Sequence, residues 1–154
     1  MPKFLKRTLI RAPAEAVFAW HLRPESLEEL TPPWEPAEVI KRTGGIETPG
    51  SRVVLRVGRR PMRITWVAEH THCVPGRSFM DVQRQGPFAR WEHTHSMIPD
   101  GPDASWLEDR VEYELPLSPL SNWIAGWYVR RKLDRMFTYR HRVTAQACER
   151  TPRI

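Results

Sequence analysis

Two histidines, His93 and His95, lie two residues apart in a segment whose residues alternate in the manner of a β-strand. Side chains two apart in a strand project from the same face of a sheet. Trp91 and Met97 share that face, which indicates that other parts of the chain cover it. A buried imidazole beside a carboxylate can accept or deliver a proton near neutral pH, so both histidines are candidates for acid–base chemistry or for orienting a ligand.

Asp109 is the first carboxylate that a sheet can bring to these histidines. It belongs to the next predicted strand, where it shares a face with Leu107, Val111 and Tyr113, so we expect it to point inward. An ionised carboxylate away from water needs a donor, because its lost hydration costs on the order of several kcal/mol. Arg140, on the apolar side of a predicted helix, is the third donor that we expect beside the two histidines.

Asp81 is the second candidate carboxylate, and its position depends on the hairpin around Gly86. If that hairpin has an odd number of loop residues, Asp81 or Gln83 lies opposite His93. An even number places their apolar neighbours there instead, because a shift of one residue exchanges the two faces of a strand. The sequence alone leaves this register open.

Three interpretations of this polar group remain open. It can be a hydrogen-bonded network that fixes the helix to the sheet, a ligand-orienting cluster inside a cavity, or an acid–base pair in which an aspartate polarises His93 or His95. A zinc centre is a weaker alternative, in which His70 or a carboxylate joins the two histidines. Six histidines among 154 residues make chance pairs common, so we predict neither a metal nor another cofactor.

Seven tryptophans give the chain an unusually large supply of flat apolar surface. We expect Trp66 and Trp91 to line a cavity, together with Gln83, Tyr113 and Met136. The proline-rich loop at 31–36 carries Trp34, which we expect at the entrance.

Trp123 and Trp127 are followed closely by three basic residues at 130–132. Aromatic and basic side chains in this order predict an amphipathic surface for a membrane or for a second subunit.

The elements that position these residues follow from periodicity and turn signals. A strand is predicted over 3–11, a helix over 13–22 and a short helical turn over 25–30, before a loop that its prolines keep from being helical. Six strands are predicted near 37–42, 51–57, 62–71, 77–84, 88–98 and 105–115. One helix is predicted over 118–149. This order predicts a single α+β domain over 1–154, in which a curved antiparallel sheet of seven strands wraps around the C-terminal helix and leaves a cavity.

The formal net charge of +6 lies entirely in the C-terminal segment. Residues 1–117 hold 16 basic and 16 acidic groups, whereas 118–154 hold eight basic side chains, Arg150 and Arg153 among them, against two acids. No helix-turn-helix, zinc finger or RNP-like motif accompanies these charges, so nucleic acid is not an expected partner. With no apolar run long enough to span a membrane and with charges inside any signal-peptide core, we expect a cytoplasmic protein whose two cysteines are free thiols.

Six short stretches carry a resemblance to a known family. They are WHL at 20–22, LTPPW at 30–34, FMDVQRQGPF at 79–88, WEHTH at 91–95, DRVEY at 109–113 and MFTYRH at 136–141. With the order of elements, they resemble the START-like superfamily, also called SRPBCC, and in particular a bacterial branch with ligand-binding and polyketide cyclase/dehydrase-like members. The resemblance implies the helix-grip fold and a pocket for an apolar or amphipathic small molecule.

The function that we expect is binding of a small hydrophobic or amphipathic molecule, such as a lipid, a polyketide or another polycyclic compound. Asp81, His93, His95, Asp109 and Arg140 would orient its polar end. A cyclase or dehydratase that uses an Asp-paired histidine is the alternative, and a protein or membrane interaction module built on the last helix is a second one. A shared fold does not choose among these functions.

Overall fold

Seven antiparallel strands form one sheet in the computed structural model, which describes residues 1–149. Arg150, Arg153 and the end of the domain predicted over 1–154 lie outside the described residues. The strands are β1 (Lys3–Ile10), β2 (Ala37–Arg42), β3 (Arg52–Val57), β4 (Ile64–Val74), β5 (Ser78–Gln85), β6 (Arg90–Pro99) and β7 (Ser105–Glu114). The helices are α1 (Ala14–Leu22), α2 (Ser26–Glu29) and α3 (Leu120–Glu149).

The strand order in the sheet is β1-β7-β6-β5-β4-β3-β2. Strands β2 to β7 follow one another as a meander, and β1 closes the order by pairing with β7 from Lys3 opposite Glu112 to Ile10 opposite Ser105. All six pairings are antiparallel, as expected where no helix connects the strands of the meander. The predicted α+β class and seven-stranded sheet are confirmed.

Prolines set both ends of α1. Pro13 precedes its first turn, and the Pro13 carbonyl accepts the amide hydrogens of Ala16 and Val17 at 3.0 and 3.1 Å. Proline suits the start of a helix because its missing N–H has no helical partner there. At the other end, Pro24 forces the residue before it out of the helical region, and Arg23 is extended with ψ of 132°.

The predicted bounds of the elements agree with the observed ones to within three residues. The largest difference is the end of β4, predicted at 71 and found at Val74. The turn into β5 is tight because Gly76 adopts a φ of 75°, which glycine tolerates. The ladder between the two strands therefore continues until Val74 lies opposite Ser78.

Helix α3 packs against α1, β1 and β7. Its buried residues recur every three or four positions and are Leu133, Phe137, His141, Thr144 and Cys148. This spacing is that of one helical face. The tryptophans near its start lie on the opposite side, where Trp123 and Trp127 are 84% and 65% exposed and cover no other element within residues 1–149.

Two apolar clusters lie beneath the helices. Phe18, Phe79 and Met97 belong to the first, which joins α1 to the sheet. Phe4 and Phe137 belong to the second, which joins α3 to the sheet and has their rings 5.5 Å apart.

Candidate functional site

Asp109 on β7 is surrounded by three histidines. His93 Nε2 and His95 Nδ1 each lie 2.8 Å from Asp109 Oδ1, and His141 Nε2 lies 2.5 Å from Asp109 Oδ2. The antiparallel register brings the first two there, because His95 pairs with Asp109 and His93 is two residues away on the same face. His141 reaches the same carboxylate from α3. The carboxylate, whose side chain is only 6% exposed, thus lies between sheet and helix.

Asp81 lies on the other side of His93 and His95, away from Asp109. Strand β5 places Asp81 directly opposite His93, which is the odd-loop register considered above. The Oδ2 atom of Asp81 accepts a hydrogen bond from His95 Nε2 at 3.1 Å and lies 3.7 Å from His93 Nδ1. His95 therefore has a carboxylate at each ring nitrogen, and Phe79 stacks on its ring with centroids 4.1 Å apart.

His95 is charged at neutral pH. Burial alone would lower its pKa, but the negative charges and hydrogen bonds of Asp109 and Asp81 outweigh it and raise the pKa to about 9. Each N–H of this imidazolium faces a carboxylate oxygen. The same contacts outweigh the effect of burial on the two acids, so the pKa of Asp81 is lowered and that of Asp109 lies well below its ordinary value.

His93, His70 and His21 have pKa values below the ordinary 6.5 and are neutral at pH 7. Burial and the positive charge of His95 lower the pKa of His93. Burial likewise lowers the pKa of His70 and reduces that of His21 to about 4. The imidazolium of His95 therefore lies beside the neutral imidazole of His93, at the point where two carboxylates meet.

Arg140 does not pair with either aspartate, contrary to the sequence prediction. Among the described residues its guanidinium makes no ion pair, and its Nε atom is buried without a hydrogen-bond partner. The guanidinium lies over the ring of Phe137, whose centroid is 5.4 Å from the guanidinium carbon. Burial lowers the pKa of Arg140. The contact with Asp109 that we expected from Arg140 is made by the next residue of the helix, His141.

The space between α3 and the sheet is small. Its volume is about 10 Å³, enough for roughly one water molecule. The lining residues are His21, Leu30, His95, Leu107, Asp109, Phe137, Arg140, His141 and Thr144. Among residues 1–149 this space is therefore much smaller than the ligand-sized cavity predicted from the sequence. Of the predicted polar residues, His95, Asp109 and Arg140 line this space.

Several predicted cavity residues lie elsewhere. Gln83 closes the hairpin between β5 and β6, where it donates to the Phe88 carbonyl at 2.8 Å and accepts from the Phe88 amide at 3.2 Å. Trp66 packs edge-on against Trp91 at 5.2 Å. These tryptophans belong, with Tyr113 and Met136, to the apolar cluster under α3 rather than to the lining of the small space.

Trp34, predicted at the entrance, packs on the outer side of α3. Its ring lies 5.3 Å from that of Tyr139, and the guanidinium of Arg135 stacks on it at 4.2 Å. A role at an entrance stays a prediction.

The sequence analysis missed two histidines of the site. His21 lines the space from α1, and its Nδ1 lies 2.8 Å from the Val17 carbonyl, which fixes the ring. His141 contacts Asp109 with one nitrogen and lies 2.7 Å from Thr8 Oγ1 with the other. The helical spacing from Leu133 through Phe137 to His141 is the signal that could have revealed it.

Asp81, His93 and His95 are the described residues whose donor atoms come together as metal ligands would, all within 4.8 Å of one another. A metal would have to displace the proton that makes His95 cationic, because only a neutral imidazole nitrogen binds a metal. The donor set therefore fits a proton-holding network better than a metal centre.

A larger hollow of about 340 Å³ lies at the far edge of the sheet, between β2 and the β3–β4 turn. Four arginines line it, of which Arg63 pairs with Glu38 and the other three are solvent-exposed. It holds no buried titratable group, so we place the candidate site at the histidine cluster.

Comparison with known families shows a match. The family model described as polyketide cyclase / dehydrase and lipid transport matches residues 10–138. The sequence matches no curated protein.

Several solved structures have a similar fold. The Zhui aromatase/cyclase from Streptomyces sp. R1128 gives a TM-score of 0.75 at 15% identity, covering 97% of this chain and 94% of that one. A START superfamily protein from Mycobacterium smegmatis gives 0.68 at 16% identity, covering 96% and 97%. Norcoclaurine synthase from Thalictrum flavum, in complex with dopamine and hydroxybenzaldehyde, gives 0.71 at 15% identity, covering 99% and 89%. At these identities the similarity establishes the fold alone.

Proposed function

The chain belongs to the polyketide cyclase/dehydrase and lipid transport family, as its motifs predicted, and from this premise we propose that it binds a small, mostly apolar molecule that carries one anionic oxygen group. The binding site is the space between α3 and the sheet, and Arg140 is the group that receives the anion. Carboxylates, phenolates and enolates are the chemical classes that fit.

The buried Nε of Arg140, which lacks a hydrogen-bond partner, is the observation that carries this proposal. Burying a cation without a partner is costly, and proteins normally pair such groups. Here both aspartates of the interior are already engaged by histidines, and the buried Nε of Arg140 has no acceptor within residues 1–149. An anionic group of a ligand would supply the missing acceptor through charge-assisted hydrogen bonds.

The rest of the lining is suited to an apolar body. Leu30, Leu107 and Phe137 contribute aliphatic and aromatic surface to the space beside Arg140. Because that space holds about one water molecule, a ring-sized guest must displace side chains that now fill it. We propose that the side chains of Leu30, which follows α2, and Phe137, on α3, move apart when the ligand binds.

The experiment compares two aromatic probes that differ in charge and hardly in shape. Isothermal titration calorimetry measures the affinities of 2-naphthoate and of its neutral analogue 2-naphthamide. We expect the carboxylate to bind more tightly, and we expect Arg140→Met to weaken naphthoate about tenfold to a hundredfold while leaving naphthamide nearly unchanged. Arg142→Met, which removes an exposed arginine two residues away on the same helix, is the matched control and should have little effect.

A surface site must be distinguished from the interior one. The double variant Trp123→Ser/Trp127→Ser removes the most exposed aromatic surface of α3 and should leave naphthoate binding unchanged. Equal affinities for the two probes, or equal losses in Arg140→Met and Arg142→Met, would contradict the proposal.

Acid–base catalysis in the same place is the second candidate function, and the charged state of His95 favours it. An imidazolium with a pKa of about 9 is an acid at neutral pH, and it adjoins the ionised carboxylate of Asp81 at 3.1 Å. Keto–enol chemistry needs such a pair: a base takes a proton from the carbon next to a carbonyl, and an acid protonates the carbonyl oxygen.

Deuterium exchange tests this second function without knowledge of the natural substrate. In D₂O, 2-tetralone should incorporate deuterium next to its carbonyl faster with the protein than without it. His95→Gln should remove the acceleration, whereas His72→Gln, at an exposed histidine of β4, should retain it. Exchange at the uncatalysed rate with the unaltered protein would rule out this second function and leave the binding proposal standing.

A further inference from the structure

One side of the first three turns of α3 is apolar and exposed. The side chains are Leu120, Trp123, Ile124, Trp127 and Tyr128, which are 56–84% exposed; we call them the tryptophan face. They recur at intervals of three and four residues, so they form one continuous stripe. The other side of the same turns, including Ala125 and Val129, packs on the apolar cluster under α3. The stripe is therefore fixed in place by the fold.

The segment that carries the tryptophan face has only positive charges. Residues 115–133 contain no aspartate or glutamate, and they include Arg130, Arg131 and Lys132. Arg131 follows Trp127 by four residues, which continues the stripe by one turn. Lys132 pairs with Glu35 at 3.1 Å, whereas Arg131 is exposed and makes no ion pair or hydrogen bond in the described part of the chain. Its charge is available to a partner.

From this arrangement we propose that the tryptophan face docks on the surface of an anionic membrane. Tryptophan and tyrosine favour the boundary between lipid tails and headgroups, and neighbouring arginines are attracted to anionic headgroups. The contact would be peripheral, with α3 lying in the headgroup region. No helix within residues 1–149 is long and apolar enough to cross a bilayer.

A second copy of the chain fits this face less well. A two-fold interface joins identical patches, so two tryptophan faces would bring two basic, acid-free segments together. An anionic bilayer offers the opposite charge and an apolar layer beneath it. Charge complementarity therefore selects the membrane as the occupant. This inference does not depend on the ligand proposed above.

Vesicle co-sedimentation of the full chain tests the proposal. One set of vesicles is phosphatidylcholine alone, and the other contains phosphatidylcholine and phosphatidylglycerol in equal parts. We expect binding to the anionic vesicles, little binding to the neutral ones, and a weakening when salt is raised from about 0.1 M to about 1 M. Trp123→Ser/Trp127→Ser should weaken binding at least about tenfold, and Arg130→Ser/Arg131→Ser should do so by a similar factor.

Matched variants elsewhere on the surface provide the controls. Met62→Ser/Val74→Ser removes two exposed apolar side chains away from α3, and Arg59→Ser/Arg60→Ser removes two exposed charges at the β3–β4 turn. Both should bind the anionic vesicles as the unaltered protein does. Thermal unfolding verifies that each variant folds, and the arginine pair still tests the proposal if the tryptophan pair does not fold.

Three outcomes would overturn the proposal. The first is the absence of binding to anionic vesicles, and the second is an equal loss of binding in the α3 variants and their controls. The third is a dimer in solution, measured by sedimentation equilibrium, that Trp123→Ser/Trp127→Ser converts to a monomer, because the face would then be covered by a second copy.

Discussion

His141 Nε2 lies 2.5 Å from Asp109 Oδ2, so the long helix and the last strand are joined through one buried polar contact. The other ring nitrogen of His141 lies 2.7 Å from Thr8 Oγ1 on the first strand. One imidazole thus fixes α3 to the two strands on which it packs. The candidate site and the junction between helix and sheet are the same group of residues, so substitutions there affect stability as well as function.

Asp109→Asn should be strongly destabilising. The amide keeps the shape of the side chain but removes the charge that three histidines face, and breaking a buried pair of this kind costs about 3–5 kcal/mol. Urea unfolding at pH 7 measures the loss. Asp134→Asn, at an exposed acid that contacts Lys6 at 3.3 Å, should cost at most about 1 kcal/mol. Equal losses in the two variants would contradict the network described here.

Stability should decrease as the pH rises from 6.5 to 9. The pKa of His95 is about 9 in the folded chain and 6.5 ordinarily, so the folded state holds this proton more tightly than the unfolded state. Its contribution, on the order of 3 kcal/mol, is complete below pH 6.5 and is lost as the pH passes about 9. His21, with a pKa of about 4, acts in the opposite sense, because stability is lost as the pH falls from 6.5 towards 4.

Urea unfolding at several pH values from 5 to 10 measures this dependence. His95→Gln should be less stable than the unaltered protein at pH 6.5, and its stability should no longer fall between pH 6.5 and 9. In His72→Gln, at an exposed position, stability should fall over this pH range as in the unaltered protein. An unchanged slope in His95→Gln would show that another group titrates.

The fold could be predicted from the sequence because its signals are local. Glycine and proline turns separate the strands of the meander, and one long segment without proline after Pro119 forms α3. The predicted end of β4 is less accurate, because the left-handed φ of Gly76 allows a tighter turn than the composition indicates. The pairing of β1 with β7 follows from the order of the elements and the shared fold, and no single residue predicts it.

The site was only partly predictable, because it depends on distances that the sequence does not contain. Alternation along β6 and β7 was enough to place His93, His95 and Asp109 on one face. The rotation of α3 was not resolved to one residue, so Arg140 was expected where His141 lies. Nor does periodicity report how completely side chains fill an interior, and the predicted cavity holds only about 10 Å³.

Arg140→Met should leave stability unchanged or raise it. The substitution replaces a guanidinium whose buried Nε lacks a partner with an apolar side chain of similar length, and leaving a buried donor without an acceptor costs about 1–3 kcal/mol. Urea unfolding without ligand measures the effect. A residue kept for binding is expected to carry such a cost. A clear loss of stability, larger than that of Arg142→Met, would indicate that Arg140 has a structural role instead.

Gln83→Ala should destabilise the chain by about 1–2 kcal/mol and leave naphthoate binding unchanged. The side chain amide makes two hydrogen bonds to the backbone of Phe88, and a net value of about 1 kcal/mol for each is typical of such contacts. Gln146→Ala, at an exposed position of α3, is the control and should be close to neutral. Both quantities come from urea unfolding and calorimetry on the same preparations. A residue that only closes the β5–β6 hairpin has no direct contact with a ligand beside Arg140. A weaker affinity for naphthoate without loss of stability would therefore indicate that Gln83 contacts the ligand.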